Sequence, residues 1–100
     1  MATSKEYKDF IIEQLDLLND ITCRPMMGEF LLYYNGLLFG GIYDDRLLVK
    51  IVETNKKYEM KEQIPYEGAK PMFMVDDVDN KELIKEIVIE TCKGLSVKKR

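Results

Sequence analysis

Histidine is missing from this chain of 100 residues. That removes the commonest general base at neutral pH, the commonest zinc ligand and every Ser-His or Cys-His nucleophile pair. Cysteine is scarce: Cys23 and Cys92 stand alone, without a paired-spacing motif. A domain of this length needs no covalent staple, so both are expected as free thiols. Long apolar runs are lacking as well. The longest stretch free of charge, residues 30–43, is interrupted by Asn35-Gly36 and falls short of the ~20 apolar residues a membrane helix needs. The opening Met1-Ala2-Thr3-Ser4-Lys5-Glu6 is polar and has neither the basic region nor the apolar region of a secretory leader. A cytoplasmic location and no membrane partner are expected. Positive charge is not in excess either, with 15 Lys and Arg against 18 Asp and Glu for a net charge of −3. A protein that grips duplex DNA along its whole surface carries the opposite balance.

What the chain does have is 46% hydrophobic residues, enough for one core and one domain. Tyr7, Phe10, Ile11, Leu15 and Leu18 recur at helical spacing and predict a helix over residues 3–19, with Thr3 and Glu6 as its capping box. Short apolar runs follow. Residues 21–24 read as a strand, and Pro25 to Gly28 as a bend around Met26 and Met27. Residues 29–34 and 37–43 flank Asn35-Gly36, the strongest short-range signal for a two-residue hairpin turn. Asp44-Asp45 supplies another turn before a strand over 46–52. Both faces of 37–43 are apolar, which places that strand inside the sheet, and Gly40-Gly41 within it predicts a bulge or a close backbone approach.

The polar segment 53–61 reads as a short helix or a turn. Residues 64–66 and 72–75, separated by a turn near Gly68, read as one or two final strands. Asp79 and Glu82 form a capping box for a closing helix carrying Leu83, Ile84, Ile87, Val88, Thr91 and Leu95, with Gly94 placed to end it. The whole is an α+β fold of two layers: an antiparallel sheet of five or six strands with the N- and C-terminal helices packed on it. The domain is expected over residues 1–95, followed by a basic, disordered tail, 96–100.

Motifs that carry chemistry fail one after another. Gly36 and Gly41 have the gap of a phosphate-binding loop, but Ile42 and Tyr43 occupy the Lys and Ser or Thr positions. Asp76, Asp77 and Asp79 do not continue into a calcium loop, because Lys81, Glu82 and Val88 stand where Asp or Asn, Gly and Glu are required. Cys23 beside Arg24 could gain thiolate character from its neighbour, yet no histidine is there to shuttle its proton. No catalytic residue, cofactor or metal is expected. Lys98, Lys99 and Arg100 concentrate positive charge at one end; without them the formal charge would fall by three, leaving a distinctly acidic body.

Arg24-Pro25-Met26-Met27-Gly28, Tyr34-Asn35-Gly36, Phe39, Ile42, Asp44-Asp45, Leu47 and Val49-Lys50 together resemble the N-terminal domain of the TfoX/Sxy family of competence regulators. Two positions depart from that pattern, Met27 in place of Phe and Glu29 in place of a second Gly, and Glu29 argues for a different local bend. The resemblance implies a fold similar to secretion chaperones and a regulatory role exerted through protein partners rather than through catalysis. Arg24, Met26, Gly28, Tyr34, Asn35, Gly36, Phe39, Asp44, Asp45 and Lys50 are its motif positions, all of turn or strand type. A homodimer is the expected partner state, because a sheet face left bare by two helices must be buried by something. The alternative is a nucleic-acid-associated regulator contacting phosphates through Lys98, Lys99 and Arg100.

Overall fold

Three dipeptides held at positive φ organise the first half of the chain. The structure, a computed structural model, describes residues 3–97. After helix α1 (Lys5–Gln14), strands β1 (Ile21–Met26) and β2 (Glu29–Tyr34) are joined by Met27 (φ 50°) and Gly28 (φ 86°). Asn35 (φ 51°) and Gly36 (φ 80°) join β2 to β3 (Leu37–Ile42). Asp44 (φ 53°) and Asp45 (φ 55°) then turn the chain into β4 (Leu47–Val49), with Tyr43 and Arg46 exchanging backbone hydrogen bonds across the turn. Such turns match the twist of the strands they connect. They require a left-handed backbone, which Asn and Asp tolerate better than most residues.

A 3-10 helix (Glu53–Tyr58) leads to β5 (Lys61–Gln63), β6 (Met72–Met74) and the long helix α2 (Lys81–Val97). The six strands lie in the order β1-β2-β3-β4-β6-β5, every pair antiparallel. The fold is therefore the expected α+β arrangement, with β3 inside the sheet. At Leu32/Tyr33 the register slips by one residue, leaving Phe39 as the extra residue of a β-bulge. The two glycines beside it permit close backbone approach. A Cβ on Gly40 would collide with the Leu48 carbonyl oxygen.

Register divides the sheet into two faces. The cross-strand row Cys23, Leu32, Gly40, Val49 and Phe73 faces the helices, and Leu32, Val49 and Phe73 join one cluster with Ile11 and Leu15 of α1 and its C-cap and with Ile84, Ile87 and Val88 of α2. Both helices thus cover the same face. Buried polar groups tie them to the connections: Gln14 Nε2 donates to the Val78 carbonyl (2.8 Å), and Asn55 Nδ2 donates to Lys50 O and Thr91 Oγ1 (both 2.8 Å).

Several boundaries differ from those expected. Ser4, not Thr3, caps α1, its hydroxyl accepting from the Tyr7 N–H. That helix ends at Gln14, and Leu15 and Leu18 reach the core from the tight turns that follow. The cap of α2 is Asn80, whose Oδ1 accepts from Leu83 N, rather than Asp79. Pro25 lies within β1, at the sheet edge, instead of beginning a bend. Residues 64–66 are loop, because Pro65 lacks the N–H a ladder needs; the strand is the polar Lys61–Gln63 just before them. Gly94 does not stop α2, which continues through Ser96 to Val97 and takes in the start of the expected tail. Lys98, Lys99 and Arg100 lie outside the described residues.

Candidate functional site

The second face of the sheet carries the row Arg24, Leu31, Gly41, Leu48, Met74 and Lys61. Neither α1 nor α2 covers it, and only Leu95 of α2 reaches its margin. Its two halves are treated differently. Over β4 and β6 the connection 64–71 folds back as a strap, fixed by the Arg46 guanidinium, which donates to the carbonyls of Tyr43 (3.1 Å), Ile64 (3.4 Å) and Pro65 (3.2 Å). Pro65 is buried, and the exposed Tyr66 sets its ring 6.1 Å from that of Tyr43. The Tyr43 ring in turn lies over Gly41, where a Cβ would come within 2.8 Å of it. Burial, reinforced by Tyr66, Glu29 and Tyr33, pushes the Tyr43 hydroxyl above its ordinary pKa and keeps it a neutral phenol.

Over β1, β2 and β3 the same face is open. Leu31, Tyr33 and Leu38 are half-buried there, and the Arg24 guanidinium lies 6.0 Å from the centre of the Tyr33 ring. Between the open half and the strap runs a groove of about 540 Å3 lined by Leu38, Tyr43, Lys50, Tyr66, Lys70 and Met72 among others. A second hollow, about 630 Å3, lies between the Asn35 turn and α2 and is lined by Tyr34, Leu37, Ile89, Cys92 and Lys93.

The motif positions read from sequence scatter over the fold. Gly28, Asn35, Gly36, Asp44 and Asp45 form turns; Phe39 is fully buried at the bulge; Tyr34 borders the second hollow. Arg24 and Met26 sit on the edge strand, and Lys50 alone reaches the groove. Of these, Asp44 and Asp45 meet in one cluster. Glu29 Oε1 accepts from Thr3 Oγ1 (2.7 Å) and from Asp44 N (3.0 Å), while Asp45 Oδ1 accepts from Ser4 N (2.9 Å). Met27 and Gly28 form the bend, and Glu29 beside it clamps Thr3 to the Asp44 turn.

Strand alternation separates Cys23 from Arg24. The thiol is on the helix-covered face, where burial raises its pKa and Lys8 opposes the rise. Cys92, buried in α2, is pushed up to about 11 by desolvation, and both cysteines are free. Among the described residues, no three His, Cys, Asp or Glu side chains gather closely enough to hold a metal ion. No helix among them is long and apolar enough to cross a membrane.

Sequence reasoning missed Arg46, Tyr66, Lys70 and Met72 as parts of one site. Their only local signal is Pro65 and Pro71 bracketing a loop that contains Gly68.

A six-stranded antiparallel sheet with both helices on one face and a strapped second face defines a two-layer α+β domain. The family model of the TfoX N-terminal domain matches residues 13–88, and the chain belongs to that family. It is also similar to an uncharacterised 12.7 kDa protein encoded in the trpE 5' region of Spirochaeta aurantia, 31% identical over 80 residues that cover 78% of this chain and 70% of the relative.

Proposed function

We propose that the chain is a non-enzymatic regulatory domain of the cytoplasm that acts through protein contact, pairing with a second copy of itself. The observation that carries this is the open half of the second sheet face, where Leu31, Tyr33 and Leu38 remain half-exposed with only Arg24 as a charged neighbour on β1. Contiguous apolar surface of this kind on a small domain marks an interaction site, and symmetric pairing is the commonest way to bury it. The resemblance of its turns and strands to competence regulators supports a regulatory role, and the two free cysteines suit a reducing compartment.

Sedimentation equilibrium tests the pairing. The protein is expected as a dimer at tens of micromolar, and Leu31→Asp is expected to be monomeric while still melting cooperatively. A wild-type chain that stays monomeric at high micromolar concentration overturns the proposal.

A further inference from the structure

The groove beside the strap is charged in one sign only. Lys50 and Lys70 line it, no carboxylate does, and neither lysine takes part in an ion pair among the described residues. In a chain where acids outnumber bases, that is a local reversal. The remaining walls are apolar or aromatic, among them Leu38, Ile51, Leu95, Tyr43, Tyr66 and Met72. Its volume, about 540 Å3, falls in the range of roughly 300–1,000 Å3 typical of small-molecule sites, which likewise combine apolar walls with a few placed polar groups.

We propose that this groove binds an organic anion with an apolar body, the anionic head held by Lys50 and Lys70 and the body laid along Leu38 and Met72. Lysine binds as a flexible point charge, so carboxylate and phosphate-ester heads are both accepted. Met72 gives the wall the adaptability to follow bodies of different shape. The Arg46 latch holds the strap through carbonyl acceptors alone, so the site is formed before a ligand arrives and little ordering cost falls on binding. Leu38 also belongs to the face proposed to pair, so the titration is made on the Leu31→Asp chain, where ligand binding and pairing are read separately.

The test is a titration of decanoate followed by NMR of the Met72 and Leu38 methyl groups, with decanol and inorganic phosphate as controls. Saturable shifts with decanoate are expected, with little response to phosphate. Decanol should bind about tenfold more weakly or worse, as should decanoate to the Lys50→Gln/Lys70→Gln variant, each reflecting one lost charge-assisted contact or more. Both lysines are at least partly exposed, so the variant should melt as the parent does. Absence of a saturable shift up to about 1 mM, the weakest affinity worth assigning to a site, overturns the proposal. So does equal binding of decanol, or equal binding of decanoate to the double variant. Methyl shifts that follow protein concentration and ignore decanoate would assign the groove to a second copy and overturn it too.

Discussion

Gly94 lies so close to Val52 that a methyl group added at its Cα would sit 2.6 Å from the Val52 Cβ and 2.7 Å from Thr54 Oγ1. The contact seats α2 on the 3-10 helix, and Thr54 completes it by donating its hydroxyl to the Glu90 carbonyl. Helix propensity alone favours Ala over Gly by about 1 kcal/mol. Overpacking wins here: Gly94→Ala is expected to destabilise by about 1–3 kcal/mol in urea unfolding. Truncating Val52 to Ala in the same chain should recover part of that loss, because Val52 Cγ2 is one of the two atoms met at 2.6 Å. A stabilised Gly94→Ala would mean that α2 does not approach Val52 this closely.

Asn55 is fully buried and every polar atom of its side chain is used: Oδ1 accepts from Val52 N, and Nδ2 serves Lys50 O and Thr91 Oγ1. Asn55→Ala strands three partners. A loss of about 3 kcal/mol is expected from the unsatisfied groups. For a domain of this size that corresponds to a fall in Tm of roughly 10–20 °C by calorimetry.

The clamp at Glu29 predicts a local effect instead. Glu29→Ala removes the acceptor for Thr3 Oγ1 and Asp44 N near the surface, so a cost of only about 1 kcal/mol is expected. Hydrogen exchange should quicken at Asp44 and at Thr3, whose amide is bonded to the Gly28 carbonyl, and stay unchanged in α2.

Thiol chemistry separates the two cysteines. The reactive species is the thiolate, and with its pKa near 11 Cys92 carries about one thiolate in a thousand at pH 8. Iodoacetamide is expected to label the half-exposed Cys23 first and Cys92 only on unfolding. The native state holds the Cys92 proton more tightly than the unfolded chain, so this group contributes full stability below about pH 9 and loses it as pH rises from 9 towards 11. Comparison of Cys92→Ala with the parent across that window checks the sign: the difference between them should shrink as pH rises.

Turns were the most legible part of the fold. Asn35-Gly36 and Asp44-Asp45 carry side chains that tolerate the left-handed backbone, and both turn the chain where expected. Met27-Gly28 adopts the same geometry with only the glycine as a signature, and Met27, at φ 50°, is 97% exposed. Lys61–Gln63 shows no apolar alternation and becomes a strand only because β6 offers it an edge. Gly94 looked like a helix terminator since its sequence position gives no hint of Val52 across the fold. The groove was illegible for a related reason. Its walls come from positions as far apart as Leu38 and Leu95, and no local spacing can announce a site that register and a folded-back loop assemble.

Pro25 in β1 and the brevity of β5 bear on how copies of this chain can meet. One rim of the sheet carries a residue with no N–H to give, and the other consists of Lys61, Glu62 and Gln63, two of them charged. Both rims discourage an incoming strand, the devices by which sheets avoid growing sideways into fibres. Growth along a rim has no natural end, since each added strand presents a fresh one. Contact through a face consumes the surface that made it, so association steered away from the rims stops at a fixed number of copies.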